Sequence, residues 1–213
     1  ELTGITVSFN SAPLEWWLSL PIIVVYPLLF GWVSYQTATK LAEHKRRLQV
    51  MSTRDGMTGV YNRRHWETML RNEFDNCRRH NRDATLLIID IDHFKSINDT
   101  WGHDVGDEAI VALTRQLQIT LRGSDVIGRF GGDEFAVIMS GTPAESAITA
   151  MLRVHEGLNT LRLPNTPQVT LRISVGVAPL NPQMSHYREW LKSADLALYK
   201  AKKAGRNRTE VAA

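Results

Sequence analysis

The hydrophobic pattern divides the chain near residue 54. Ahead of that point stands one long apolar run. No residue from Trp16 to Thr39 carries a charge, and 16–35 gives twenty mostly apolar positions, about the length a bilayer-spanning helix requires. Trp16, Trp17, Trp32 and Tyr35 lie near its ends, where aromatic belts form. Pro21, Pro27 and Gly31 interrupt it, which membrane helices tolerate and a buried core helix does not. No basic residue precedes the run, so a secretory signal fits poorly. The pattern predicts a transmembrane helix over 16–35, with a polar segment 1–15 outside the membrane. Lys40, Lys45, Arg46 and Arg47 follow directly and put the C-terminal side in the cytoplasm. A linker helix over 36–54 comes next. Leu41, His44, Leu48 and Met51 fall at coiled-coil spacing, over fewer than two clear heptads; a coiled coil and a solvated helix lying near lipid headgroups remain equal readings.

Beyond the linker the period changes. Asn62 caps a helix reaching about 79, with Trp66, Met69, Leu70 and Phe74 on one side. Residues 84–90 form a strand. A short helix covers 94–100 and a longer one 105–121, its buried stripe being Ile110, Leu113, Leu117 and Leu121. Two strands, 125–130 and 135–139, meet in a tight turn at Gly131 and Gly132, where the glycines would supply the positive φ of a hairpin. A helix over 143–161, a strand over 169–177 and a helix over 187–203 complete the series. Strands interleaved with helices and including one hairpin predict an α+β sheet with helices mainly on one face.

The 213 residues allow one ordinary domain and an appendage. Net charge is +3 and the basic excess is local, so no nucleic-acid partner is indicated. Cys77 is the single cysteine, which excludes an internal disulfide and agrees with a reducing compartment.

The chemistry gathers in two acidic blocks. In Arg129-Phe130-Gly131-Gly132-Asp133-Glu134-Phe135, backbone free of side chains stands beside paired carboxylates, which suits a phosphate screened by a divalent metal. Alone, such a stretch is equally a surface hairpin with solvated acids. The second block changes that balance. The apolar strand Leu86-Leu87-Ile88-Ile89 runs into Asp90-Ile91-Asp92-His93-Phe94-Lys95, and a rigid strand ending in acids at solvent is a natural metal site. Asn98, His103, Asp104, Gly106 and Asp107 follow.

With these residues the chain resembles the GGDEF-domain diguanylate cyclases. The resemblance spans roughly 53–207 and rests on five blocks. They are the run from Asp55 to Arg64, Asp90 to Lys95, Gly102 to Asp107, the GGDEF hairpin, and the run from Ala201 to Asn207. It implies a ferredoxin-like core of the nucleotide-cyclase and polymerase-palm kind over 55–213. It implies condensation of two GTP into cyclic di-GMP with loss of two pyrophosphates. Mg²⁺, two per GTP site and replaceable by Mn²⁺, would be held by Asp90, the Ile91 carbonyl, Asp133 and Glu134. Asp133 and Glu134 would be catalytic, Glu134 as general base or metal-linked proton acceptor. Asn98 and Asp107 would read guanine with His103 nearby, since a carboxylate can accept from the adjacent N1–H and N2–H₂ that adenine lacks. Lys95, Lys202, Arg206 and the main chain near Phe94 would hold the triphosphate. Arg122 and Asp125, with five residues between Asp125 and Gly131, match the family's product-inhibition site for cyclic di-GMP.

One domain supplies one half-site, so a two-fold homodimer is expected. Gly56-Met57 departs from the family's usual Pro-Leu, and Val60 stands where Leu is common; no residue of the active set is degenerate. Within the family the chain is most similar to an enterobacterial membrane cyclase. That likeness implies sensor helices before residue 1, residence in the bacterial inner membrane beside lipid, and cellulose matrix as the downstream effect. A membrane receptor that binds cyclic di-GMP without catalysis, a GTP-binding regulatory module and a cyclase making a cyclic mononucleotide are the competing readings.

Overall fold

The computed structural model describes residues 16–212 apart from 52, 165 and 167; the side chains of 16–23 and 42–51 also lie outside the description. The expected outer segment 1–15 therefore falls outside the described residues. The chain forms two compact units, one ending at Met51 and one beginning at Ser52.

The first unit is a single helix, α1 (Trp16–Met51), 36 residues long. Its described side chains are exposed, among them Leu28, Phe30, Trp32 and Tyr35. Among the described residues no helix is long and apolar enough to cross a membrane. The expected span over 16–35 begins in residues whose side chains are outside the description. The expected linker helix is continuous with α1 and stops at Met51.

The second unit begins with the short strand β1 (Tyr61–Asn62) and α2 (Arg63–His80). Asn62 caps α2 as predicted, its side-chain oxygen accepting from the His65 N–H at 3.0 Å. Asn81, in the left-handed region at φ 49°, ends the helix. Then come β2 (Ala84–Ile91), α3 (Phe94–Trp101), α4 (His103–Thr120), β3 (Val126–Arg129), β4 (Glu134–Ser140), α5 (Ala144–Thr160), β5 (Ile173–Pro179), α6 (Tyr187–Lys203) and β6 (Arg208–Val211). The sheet has the order β1-β3-β4-β2-β5-β6. Its four central strands pair antiparallel and its two edge strands parallel. The central order, with α3 and α4 linking β2 to β3 and α5 linking β4 to β5, is the expected ferredoxin-like βαββαβ core.

The expectation of helices mainly on one face is corrected. Alternate residues of β2 feed two separate cores. Leu87, Ile89 and Ile91 join Ile110, Leu113 and Leu117 of α4 and Met151 and Val154 of α5. Leu86 and Ile88 join Trp66, Leu70 and Phe74 of α2 and Trp190, Ala194 and Leu198 of α6. Helices α2 and α6 lie outside the βαββαβ repeat and cover its second face. All eight residues of β2 are buried, and a strand covered on both faces reads as an unbroken apolar run.

The predicted strand over 169–177 is shifted to Ile173–Pro179. Val169 and Leu171 are buried, but the ladder to β2 runs only from Ile91↔Ile173 to Thr85↔Pro179. The edge strands β1 and β6 escaped the pattern because they are short and half-polar.

Candidate active site

The site stands at the carboxyl end of β2, where α6 and the β3–β4 hairpin converge. The register sets Asp90 opposite Glu134 across the β2–β4 ladder, and residues directly opposite project from the same face. That face is the one covered by α2 and α6. Asp133 precedes Glu134 in the turn, and its carbonyl accepts the Ile91 N–H at 3.3 Å. Two acidic blocks well separated in sequence are thereby joined.

Asp90 is 8% exposed. Burial pushes its carboxyl up, Lys202 pulls it down, Asp133 and Glu134 push it up again, and the result lies above the usual carboxylate range. The Lys202 ammonium is 2.7 Å from Asp90 Oδ2. The sequence assigned Lys202 to the triphosphate; here its partner is Asp90, because α6 packs along β2 and its last turn lies over the acid.

The hairpin is held otherwise than predicted. Among the described residues the glycines with positive φ are Gly59, Gly102, Gly141 and Gly205, and neither Gly131 nor Gly132 is among them. The turn is braced by Arg129 instead. Its Nε donates to the carbonyls of Gly131 and Gly132 at 3.2 Å each, and Nη2 donates to Gly132 O at 2.8 Å. Nη1 meets Asp55 Oδ1 at 3.1 Å. A Cβ at Gly132 would meet nothing within 4 Å, and one at Gly131 would reach 3.4 Å from Glu134 Oε2. Glycine therefore keeps open surface beside the acids. Asp55 in turn accepts from Thr58 N at 3.0 Å and Thr58 Oγ1 at 2.7 Å. Burial raises its carboxyl, but Thr58 and Arg129 together bring it below the ordinary value. The Arg129–Asp55 bridge was missed in the sequence, although both residues stand in the recognised blocks.

Beyond β2, Asn98 of α3 carries a buried Oδ1 with no hydrogen-bond partner among the described residues. Gly106 makes room for it, since a Cβ there would overlap Asn98 Oδ1. Asp107 is the next residue of α4 and is exposed, as is His103 at the helix start. A buried acceptor left without a donor costs about 1–3 kcal/mol, so this one has a place for an N–H or O–H donor. Lys95 is exposed in the first turn of α3, Phe94 is half-buried against the core, and Arg206 is exposed in the turn after α6.

Arg122 and Asp125 form a closed turn between α4 and β3. Asp125 Oδ2 accepts the Arg122 N–H at 2.9 Å, and the Asp125 N–H donates to Arg122 O at 3.0 Å. Asp125 is buried and Arg122 exposed; burial raises the Asp125 carboxyl.

The carboxylates supply the hard oxygen donors a divalent cation takes, and their mutual repulsion gives a reason for positive charge there. The donor set fits such an ion in kind. Among the described residues, however, no three His, Cys, Asp or Glu side chains gather closely enough to hold one.

The fold is palm-like, and the site sets acids at a central strand end and cations at a helix end. The profile of the diguanylate cyclase GGDEF domain matches residues 52–208, and the chain belongs to that family. It is 35% identical over 159 residues to the diguanylate cyclase DosC of Escherichia coli K12, covering 74% of this chain and 34% of DosC. To the diguanylate cyclase DgcM of the same strain it is 35% identical over 171 residues, covering 79% of this chain and 41% of DgcM. The chain thus spans well under half the length of these relatives. The crystal structure of the GGDEF domain of DgcB from Caulobacter crescentus, in complex with c-di-GMP, superposes with a TM-score of 0.71 at 30% identity, covering 75% of this chain and 93% of that one. Diguanylate cyclase SiaD of Pseudomonas aeruginosa, solved with its activator SiaC, gives 0.71 at 32% identity, covering 93% of this chain and 78% of that one.

Proposed function

We propose that the chain is a diguanylate cyclase, joining two GTP into cyclic di-GMP. In each half-reaction a 3′-hydroxyl oxygen bonds to the α-phosphorus of the other GTP, the bond to the pyrophosphate oxygen breaks, and the hydroxyl proton leaves to a nearby base. The observation that carries this reading is the register-fixed pair Asp90 and Glu134 with Asp133 beside them, at the same end of the sheet as the orphaned acceptor of Asn98. One relative, NbdA of Pseudomonas aeruginosa, is a cyclic di-GMP phosphodiesterase 30% identical over 193 residues, so the argument rests on the acids rather than on likeness alone.

Asp90, Asp133, Glu134 and the Ile91 carbonyl would hold Mg²⁺, which screens phosphate charge and acidifies the attacking hydroxyl when bound. Glu134 takes the proton. Asn98 Oδ1 and the Asp107 carboxylate accept from guanine, and Lys95, Lys202 and Arg206 bind the triphosphate, Lys202 exchanging Asp90 for phosphate. Two such domains meet as a homodimer. Exposed Arg122 grips a guanine edge of the product while Asp125 shapes the turn, and occupancy there inhibits. Residues 16–35 anchor the chain in the inner membrane as in the enterobacterial cyclase AdrA, with the catalytic domain cytoplasmic and cellulose output downstream.

The test is incubation with GTP and Mg²⁺ beside Glu134→Ala and Arg122→Ala, with products identified by mass spectrometry. Cyclic di-GMP from the parent and none from Glu134→Ala supports the cyclase, and a higher final yield from Arg122→Ala supports feedback. A parent that makes none, even as a reconstituted dimer, yet binds cyclic di-GMP is a receptor.

A further inference from the structure

We infer that Asp92 is a positioning residue. Its carboxylate pins the turn between α6 and β6 to the end of β2, and so fixes where Arg206 stands. The inference deepens the cyclase reading and rests on it for the role of Arg206.

Asp92 directly follows β2 and is 5% exposed. Its Oδ1 accepts from Ser174 Oγ at 2.6 Å, and its Oδ2 accepts from the backbone N–H of Asn207 at 2.8 Å. Among the described residues it forms no ion pair. A carboxylate buried without a cation persists only where hydrogen bonds satisfy it, and here one of its two donors is the main chain of the turn.

That turn needs a hold. Gly205, Arg206 and Asn207 have φ of 110°, 60° and 46°, and the latter two carry a Cβ in a region that disfavours one. The Arg206 N–H closes the helix end on Ala201 O at 3.0 Å, while the Asn207 N–H goes to Asp92. On the other side of Asn207 the chain enters β6, where Arg208 pairs with Ser174. His155 of α5, in contact with the Asn207 side chain and 3.2 Å from Thr209 Oγ1, supports the same segment.

Strand β2 therefore grips the end of α6 twice, through Asp90 on Lys202 and through Asp92 on Asn207. The two grips differ. The Lys202 side chain is 33% exposed and can exchange its partner, whereas the Asp92 bond is to backbone. When Lys202 turns to a triphosphate, Asp92 still ties the turn that carries Arg206 to the end of β2.

The experiment compares the full chain with Asp92→Asn, Arg206→Ala and the double variant. It measures hydrogen exchange of the 204–209 amides, calorimetric binding of a non-hydrolysable GTP analogue, and KM and kcat. Losing a charge-assisted bond to Asn207 is expected to speed exchange there about tenfold and to weaken analogue affinity and raise KM about tenfold, with kcat changing less. The double variant is expected to bind no worse than Arg206→Ala alone, since Asp92 acts through Arg206. Unchanged exchange at Asn207, unchanged affinity, or independent losses in the double variant would overturn the inference. If Asp92→Asn does not fold, Ser174→Ala is read the same way, with roughly threefold effects because it loses a neutral donor. A wild-type chain that makes no cyclic di-GMP sinks the cyclase reading, while exchange and analogue binding still decide on Asp92.

Discussion

Arg129→Ala tests whether the acid-bearing hairpin is held from outside its own turn. The guanidinium joins two anchor points, the Asp55 carboxylate at 3.1 Å and the carbonyls of Gly131 and Gly132 at 2.8–3.2 Å. The Arg129 side chain is 13% exposed and that of Asp55 24%, so solvent screens the pair in part. Charged hydrogen bonds contribute about 1.5–3 kcal/mol each; two anchor points taken at the lower end give about 3 kcal/mol. For a unit of this size each kcal/mol moves Tm by about 2–4 °C, so the expected drop is about 6–12 °C. Because the released segment carries Asp133 and Glu134, kcat should fall more than KM rises. Thermal unfolding followed by circular dichroism, with GTP kinetics on the same samples, gives both numbers. Asp55→Asn completes a double-mutant cycle whose coupling should be about 1–2 kcal/mol. A Tm loss under about 2 °C, or strict additivity with Asp55→Asn, would refute the brace.

Three further outcomes are expected. Gly106→Ala should displace Asn98 Oδ1, whose place the new Cβ would overlap, costing about 1 kcal/mol of stability while raising KM for GTP about tenfold; an unchanged KM would remove Asn98 from guanine recognition. The depressed Asp55 carboxyl contributes stability that is fully present above its unfolded value of 3.8 and is lost as pH falls through the lower folded value. Asp55→Asn should therefore flatten the acid limb of a pH–stability curve, and an identical limb in the variant would contradict this. Burial, with Glu73 3.2 Å away, pushes the Cys77 thiol up to about 12, so iodoacetamide at pH 8 should label it only after denaturation.

The elements whose pattern is carried by buried side chains were legible. The stripe of α4 and the Asn62 cap of α2 lie where the periodicity put them, since burial and capping act within a few residues. What failed depends on pairing across the chain. The Leu86–Ile89 run marked a strand, but only the placement of α2 and α6 decided that both its faces are covered. The start of β5 is set by the partner that Ile91 offers at Ile173, which no local pattern records. In the candidate site, the blocks singled out the acids and Asn98, whose positions the structure gives. They did not reveal that Arg129 braces the hairpin, that Lys202 sits on Asp90, or that Asp92 faces inward. Each of those is a choice of partner made by the folded sheet.

Several places where this sequence works against its own stability share one end of the sheet. Asp90 is buried beside two further acids. Asn98 keeps a buried acceptor unpaired. Arg206 and Asn207 occupy a backbone region unfavourable to residues with a Cβ. None of these features belongs to the packing of either core, where Trp66, Trp190, Phe135 and Leu113 are fully buried. Local conflict concentrated in one region of a fold is the expected trace of a functional site. The kind of conflict also agrees with the function proposed above. Crowded carboxylates call for cationic charge, an orphaned acceptor calls for an N–H donor, and exposed Lys95 and Arg206 call for an anion. The GTP proposed above, with a divalent cation, would answer all three.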